Sequence, residues 1–176
     1  NGFEFDGTDD YVAFDDQHFY ENTTLEIMVS PKDLSSTSSI SLFGVQDSGG
    51  HIISFYPKNG YFQGSSYING AYAYITNPYK NNQMVHITYT IDGAYQKLYV
   101  DGKLVQTKEV TGTITGPDDI YNTLTIGADN DTSADGSSFK YDEFFKGTVY
   151  DAKLYSRALT EEEVKADYEE AKEKYI

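Results

Sequence analysis

The sequence predicts an all-β protein, a two-sheet antiparallel β-sandwich with a short C-terminal helix. Two observations predict it: short segments of alternating apolar and polar residues recur along the chain, and turns containing Gly or Asn separate them. Period-two alternation is typical of half-buried strands, and many short strands joined by tight turns are typical of a sandwich. The predicted strands lie at residues 3–5, 11–14, 25–29, 52–55, 85–91, 97–100, 124–126 and 148–155.

The clearest turn is Asp101-Gly102, a two-residue connection with alternating residues on both sides. Asp and Gly tolerate the positive φ angles that tight hairpins require. The sequence therefore predicts a hairpin between residues 97–100 and 103–105. By contrast, five serines and a threonine lie among residues 33–41, which predicts an exposed loop there.

The C-terminus has a helical pattern. Thr160 and Glu163 have the spacing of a capping box, and acidic residues follow Thr160 where the helix dipole favours them. The apolar residues recur at spacings of four, three and four, which puts them on one face of a helix. We expect this face to dock on the sandwich; its residues are Val164, Tyr168, Ala171 and Tyr175.

Length and composition predict one folded domain. The chain has 176 residues, of which 39% are hydrophobic, and this is enough for one core. We therefore expect residues 1–176 to form a single domain. The first residues lack the charged and apolar regions of a signal peptide, so we expect the chain to be excised from a larger protein.

The charge balance argues against nucleic acid and membrane as partners. Asp and Glu total 28 against 13 Lys and Arg, a formal net charge of −15. Such a chain repels phosphate backbones and anionic bilayers. The chain has a single arginine, Arg157, and lacks an apolar run of the length needed to span a bilayer. We expect no nucleic-acid binding and no membrane insertion.

Four sequence motifs, in order, resemble the laminin-G-like jelly-roll domains of the concanavalin A-like lectin and glucanase superfamily. They are FEFDGTDDYV at residues 3–12, VHITY at 85–89 followed by LYVDGK at 98–103, LTIG at 124–127, and FKGTVYDAKLYSRALT at 145–160. The resemblance covers essentially the whole chain. It implies a concanavalin A-like jelly roll and allows a structural ion between the first and last strands.

Catalysis is not expected. Glycoside hydrolases need two carboxylates facing each other across a cleft, and the related glucanases carry them on alternate residues of one strand. The chain has no such Glu-x-Asp-x-x-Glu run, and Glu161, Glu162 and Glu163 have the character of a solvated first helical turn. The sequence also has no cysteine nucleophile and no His-Glu-x-x-His pattern. We therefore predict a protein that is not an enzyme.

Calcium is the cofactor that the sequence favours, because calcium binds several carboxylate, amide and carbonyl oxygens at once. One candidate site is the acidic segment with Asp129, Asp131 and Asp135. The other is the first turn, with Asp6 and Asp10 and their neighbour Asp9, to which Asp151 of the last strand is expected to come close. An acidic chain also has acidic turns without any ion, so both interpretations stay open.

Tyrosine is in excess, with 17 tyrosines and no tryptophan. A tyrosine offers a flat apolar face to a sugar ring and a hydroxyl to its edge. Alternation puts Tyr72 and Tyr74 on one side of a strand and Ala71, Ala73 and Ile75 on the other. Tyrosines also pack well on half-exposed sheets without any ligand. The candidate ligand-binding residues cluster in one segment and are Tyr56, Tyr61, Tyr67, Tyr72, Tyr74 and Tyr79.

Together these features predict a non-catalytic carbohydrate-binding module of a secreted or cell-wall-attached bacterial protein, which is an extracellular location, with calcium ordering a loop. The expected partner is a glycan. The alternative is a protein-binding or spacer domain of a bacterial surface adhesin, whose partner is a cell-surface protein.

Overall fold

The computed structural model describes residues 1–14, 22–35, 37–45, 50–113, 123–132 and 139–176. Within these residues the chain forms fourteen strands and one α-helix, α1 (Glu161–Tyr175). In chain order the strands are β1 (Phe3–Asp6), β2 (Val12–Phe14), β3 (Asn22–Pro31), β4 (Ile40–Gly44), β5 (His51–Tyr56), β6 (Tyr61–Ile68), β7 (Ala71–Pro78), β8 (Val85–Asp92), β9 (Tyr95–Val100), β10 (Lys103–Glu109), β11 (Leu124–Ile126), β12 (Asp129–Thr132), β13 (Phe139–Asp142) and β14 (Lys146–Tyr155).

Twelve of these strands form two antiparallel six-stranded sheets. The first sheet has the order β1-β14-β3-β8-β9-β10, and the second has the order β2-β11-β4-β5-β6-β7. The strands β12 and β13 pair with each other in a separate hairpin. The predicted two-sheet antiparallel sandwich with a C-terminal helix is therefore confirmed, and so are the eight predicted strands.

The core fills the space between the two sheets. Alternate residues of β3 and β8 point inward from the first sheet, and alternate residues of β5 and β6 meet them from the second. Burial of these side chains supplies the main driving force for folding. Inward-facing, fully buried members include Leu25, Ile27, Val29, Ile53, Phe55, Phe62, Ile87, Tyr89 and Leu98.

A row of hydrogen-bonded polar side chains crosses this core. The Tyr89 hydroxyl lies 2.5 Å from Ser66 Oγ and accepts a hydrogen bond from Gln96 Nε2 at 2.8 Å. Ser66 Oγ also lies 2.6 Å from His51 Nδ1. Since buried polar groups are costly unless they are hydrogen-bonded, these contacts permit the polar side chains to lie between the sheets.

The predicted hairpin between β9 and β10 is confirmed. Asp101 and Gly102 have φ angles of 49° and 71°, as the two central residues of a type I′ turn require. Lys103 pairs with Val100 in register, and a bulge follows between Leu104 and Gln106. The Asp101 carboxylate accepts a hydrogen bond from the His86 backbone at 3.0 Å, which ties the turn to β8.

The helix α1 lies against the outer face of the first sheet, as expected. Thr160 and Glu163 form the predicted capping box, and Val164 packs with Tyr99 and Leu159. Under the helix lies the buried carboxylate of Glu26, which is 3.3 Å from Lys153 Nζ and 3.4 Å from His86 Nε2.

The expectation of an exposed loop at residues 33–41 is wrong at its C-terminal end. Ile40 and Ser41 begin β4, an interior strand of the second sheet, and both are buried. Leu34 is buried as well, because its side chain joins the core. Serine is small and can satisfy its hydroxyl locally, so a serine-rich segment can enter a sheet that the sequence pattern does not reveal.

Among the described residues, none of the helical segments has both the length and the apolar character that crossing a bilayer demands.

Candidate functional site

A trough runs over the outer face of the second sheet, across β5, β6 and β7. Its volume is about 330 Å³. Strand alternation creates it, because inward residues of these strands fill the core and every second side chain points away from the core. The residues that line it are Ile52, Ser54, Tyr56, Tyr61, Gln63, Ser65, Tyr72 and Tyr74.

Small side chains make the floor of the trough and tyrosines make its walls. Ser54 and Ser65 face outward on neighbouring strands, yet both are only 2% exposed. The taller side chains around them account for this burial. Tyr74, in contrast, is 54% exposed. The result is a groove with polar groups at the bottom and aromatic faces at the sides.

Tyr56 and Tyr61 form the aromatic wall at one end. They face each other across β5 and β6, with ring centroids 5.3 Å apart and an angle of 27° between the rings. Gln63 Nε2 donates a hydrogen bond to the Tyr56 hydroxyl at 3.2 Å. Burial raises the pKa of Tyr56, and the carboxylates of Glu143 and Asp129 contribute in the same direction.

Glu143 is held beside this end by two serines. Its carboxylate accepts hydrogen bonds from the hydroxyls of Ser39 and Ser41, the second at 3.1 Å. Ser41 pairs in register with Ser54 on the trough floor. The Tyr56 end of the trough therefore borders fixed negative charge.

Tyr72 and Tyr74 form the wall along β7. Lys108, on β10 of the first sheet, donates a hydrogen bond to the Tyr74 carbonyl at 3.1 Å, and its ammonium lies 5.2 Å from the Tyr74 ring centroid. This contact places a cation at the outer edge of the trough and holds the Tyr74 ring in position.

The six predicted tyrosines occupy two different surroundings. Four of them line the trough, and Tyr67 extends it, because its ring lies 5.1 Å from that of Tyr72. Tyr79 lies elsewhere: its ring packs edge-on against Phe55 at 4.8 Å, on the margin of the core. Their role in ligand binding stays a prediction.

Sequence reasoning did not single out the floor. Ser54 and Ser65 are ordinary strand residues in the sequence, and they become neighbours only through the register of β5 with β6. Glu143 was also missed, because it approaches the trough from a distant segment. The signal that could have found the floor is the period-two spacing of Ser54 from Tyr56 and of Ser65 from Gln63.

The predicted calcium ligands are divided between two regions. Asp129 begins β12 and is 6% exposed. Asp131 follows in the same strand and pairs with Lys140 in register, while Asp135 lies outside the described residues. The structure therefore describes Asp129 and Asp131 in a strand, where an acidic loop was expected.

The first turn brings three carboxylates together. Oxygens of Asp6, Asp9 and Asp10 lie within 4.8 Å of one another, and all three residues are exposed. Such oxygens are the ligands that calcium prefers, and they would supply three of the six to eight that it takes. The donor set therefore fits calcium.

Asp151 does not join this turn. The register of β1 with β14 places Lys146 opposite Asp6. Since Asp151 is five residues farther along β14, it lies about 17 Å away along the strand. The expectation that Asp151 approaches the first-turn aspartates is wrong, and the cause is strand register.

Comparison with known proteins identifies relatives of the fold. A family model described as the concanavalin A-like lectin/glucanase superfamily matches residues 6–165. No curated protein matches the chain by sequence.

Solved structures with this fold include binding domains. The binding domain of botulinum neurotoxin serotype D has a TM-score of 0.70 and 17% identity, over 97% of this chain and 42% of that one. The heptameric SAP-like pentraxin of Limulus polyphemus has a TM-score of 0.65 and 20% identity, over 92% and 78%. The binding domain of botulinum neurotoxin DC, solved in complex with SialylT, has a TM-score of 0.64 and 14% identity, over 87% and 36%.

At such identities the likeness shows the fold alone. The chain spans about two fifths of the length of the neurotoxin domains that it matches.

Proposed function

Because the chain belongs to the concanavalin A-like lectin/glucanase superfamily, we propose that it is a non-catalytic carbohydrate-binding module of a secreted or cell-surface bacterial protein. The observation that carries the proposal is the tyrosine-walled trough on the outer face of the second sheet. The family, which is described by its lectins and glucanases, supports a sugar as the class of ligand.

The chemistry of the trough suits a sugar. Pyranose rings present apolar C–H faces and hydroxyl edges, and they pair with aromatic faces and with neutral hydrogen-bonding groups. Tyr74 offers an exposed ring, while Gln63 and Ser54 offer an amide and a hydroxyl on the floor. Sites that combine apolar walls with a few convergent polar groups are typical of small-ligand binding.

The proposal of a non-catalytic module is supported by the lining of the trough. Within the described part of the chain, the side chains that line it are uncharged. Hydrolysis of a glycosidic bond needs an acid and a second carboxylate on either side of that bond. Glu143 borders the trough, but its carboxylate is engaged by Ser39 and Ser41.

We also propose calcium as a structural ion. The carboxylates of Asp6, Asp9 and Asp10 favour the first turn, and Asp129, Asp131 and Asp135 remain the second candidate site. Calcium there would cancel repulsion between neighbouring carboxylates in a chain of net charge −15, so its contribution would be stabilising.

A second candidate function, a protein-binding domain of a surface adhesin, is favoured by a different surface. An apolar groove of about 340 Å³ lies between β1 and β2, the edge strands of the two sheets. Phe3 is 76% exposed and Phe14 is 45% exposed in this groove. Contiguous exposed apolar residues of this kind are typical of protein interaction sites.

A glycan array probed with the wild-type chain and two variants tests the first proposal. Tyr74→Ala removes an exposed trough wall, whereas Tyr95→Ala removes a tyrosine of similar exposure on β9, outside the trough. We expect wild type and Tyr95→Ala to bind the same glycans and Tyr74→Ala to lose them. An array without any binding would overturn the carbohydrate function and favour the adhesin alternative.

A further inference from the structure

The trough has an aromatic pair at each end. The strand register places Tyr56 beside Tyr61 at one end and Tyr67 beside Tyr72 at the other. Both pairs are in ring contact, with centroids 5.3 Å and 5.1 Å apart. The two rows of outward-facing residues between the ends are, in register, Ser54, Gln63 and Thr76, and then Ile52, Ser65 and Tyr74.

The distance between the ends exceeds one sugar ring. Outward residues on one strand are two positions apart, which is about 7 Å. Along the strands, Tyr61 therefore lies about 14 Å from the row of Tyr74 and about 20 Å from Tyr67. A pyranose ring spans roughly 5 Å, about the spacing of neighbouring strands. A single sugar ring can therefore contact the aromatic pair at one end only, whereas an oligosaccharide of three or four sugar rings can contact both pairs.

The charges around the trough disfavour an anionic ligand. The polar groups on the floor between the aromatic ends are hydroxyls and an amide, and the remaining floor residue, Ile52, is apolar. Glu143 and Asp129 act on the Tyr56 hydroxyl from one side, and the formal net charge of the chain is −15. Lys108 lies at the opposite edge, where its ammonium is engaged by the Tyr74 carbonyl and ring. An acidic sugar at the Tyr56 end would meet like charges.

From these observations we propose that the trough binds a linear, uncharged oligosaccharide of at least three rings and discriminates against acidic glycans. This inference rests on the proposed carbohydrate-binding function and specifies the class of glycan. Aromatic pairs at both ends contact the same oligosaccharide. Once one pair has bound it, the second pair adds affinity without a second loss of translational freedom.

Calorimetric titration with oligosaccharide ladders tests the inference. The probes are cello- and malto-oligosaccharides and N-acetylated chito-oligosaccharides from the monosaccharide to the hexasaccharide, together with oligogalacturonates of the same lengths. For at least one neutral ladder we expect affinity to rise about tenfold or more from monosaccharide to tetrasaccharide, and then to level off. Oligogalacturonates should bind at least about tenfold more weakly than the neutral chain of equal length.

Variants separate the two ends and the charge effect. Tyr56→Ala should bind the tetrasaccharide about as weakly as wild type binds the disaccharide. If Tyr56→Ala does not fold, Tyr72→Ala tests the same expectation at the other end of the trough. Tyr95→Ala, on β9, should leave the length dependence unchanged. Glu143→Gln keeps an oxygen that can accept a hydrogen bond from the two serine hydroxyls but removes the negative charge. It should therefore reduce the difference in affinity between neutral and acidic oligosaccharides of equal length.

The outcomes distinguish this inference from the proposed function. Equal affinity for monosaccharide and tetrasaccharide, or stronger binding of oligogalacturonates, would overturn the inference while carbohydrate binding stands. An array that shows only acidic glycans would do the same. Silence of both the ladders and the array would overturn the carbohydrate function itself, and the inference with it.

Discussion

The ring of Tyr89 on β8 packs against Gly64 on β6 of the opposite sheet, where the missing side chain leaves room for the ring. A β-carbon at position 64 would overlap the Tyr89 ring. Tyr89 is 1% exposed, and its hydroxyl holds both Ser66 and Gln96. Glycine is therefore required at position 64 by the packing of the opposite sheet.

We predict that Gly64→Ala lowers the free energy of unfolding by about 1–3 kcal/mol, because overpacking forces Tyr89 to shift and strains its hydrogen bonds. The matched control is Ser65→Ala, one residue along on the trough side, which should have a much smaller effect. Urea denaturation of both variants measures the difference. Equal stability of Gly64→Ala and wild type would show that the sheets have room to separate.

Truncation of Tyr74 and of Tyr79 should change stability to different extents. Tyr74 is 54% exposed, so Tyr74→Ala should change the unfolding free energy by no more than about 0.5 kcal/mol. Tyr79 packs on Phe55 at the core margin, so Tyr79→Ala should cost more, though less than the roughly 3–5 kcal/mol of a fully buried aromatic. Denaturant titration of both variants checks this. A larger loss in Tyr74→Ala would identify Tyr74 as a structural residue.

Sequence patterns predicted which strands exist far better than which residues meet. The alternation of 85–91 and the Asp101-Gly102 turn are local features, and β8, β9 and β10 form as expected. The strands β4, β6, β12 and β13 were not among the predicted strands. β4 was missed because the serine-rich segment at its start has the composition of a loop, although Ser41 is fully buried next to β5. Tertiary context overrides weak local preference there.

The trough shows the same limit at the level of the site. Period-two spacing correctly put Tyr72 and Tyr74 on one face and Ile75 on the other. It could not show that the Tyr79 ring packs against Phe55. It also could not show that Lys146, and not Asp151, lies opposite Asp6 of the first turn, because both arrangements depend on strand register. Register is set by the whole sandwich rather than by one segment.

Calcium should raise the melting temperature of the wild-type chain, because an ion that binds the folded state alone stabilises it by mass action. Asp9→Asn removes one of the three clustered carboxylates and should reduce the rise if the ion lies at the first turn. Asp131→Ala should reduce it if the ion lies near β12. Thermal melts with and without calcium measure both effects. An unchanged wild-type melting curve in millimolar calcium would contradict a structural ion at either site.

Glu26 is a buried carboxylate on the helix side of the first sheet. Its carboxylate contacts Lys153 Nζ at 3.3 Å and accepts a hydrogen bond from Thr88 Oγ1 at 3.4 Å. Glu26→Gln should lower stability by about 1–3 kcal/mol, because Lys153 loses a buried partner. The control is Glu169→Gln, which removes an exposed ion pair with Lys172. Its loss of stability should be small. Denaturation at neutral pH compares them, and equal effects would argue against a stabilising role for the buried carboxylate.

Acid should loosen the start of α1 through Glu163. Two hydrogen bonds from the Arg157 guanidinium, at 2.7 Å and 2.8 Å, and one from the Thr160 backbone lower the pKa of Glu163 from 4.5 to about 2. Because the folded-state pKa is depressed, the carboxylate stabilises the folded chain fully above about pH 4.5, and this contribution is lost as the pH falls from about 4.5 towards about 2.

Glu163→Gln should therefore be less stable than wild type at neutral pH, and the difference in stability should disappear as the pH falls from about 4.5 towards about 2. Glu161→Gln removes a carboxylate of the same helical turn without touching the Arg157 pair, so its stability should stay parallel to wild type. Denaturant titrations over the pH range measure the three curves, and a Glu163→Gln curve parallel to wild type would show that the Arg157 pair contributes nothing to folding.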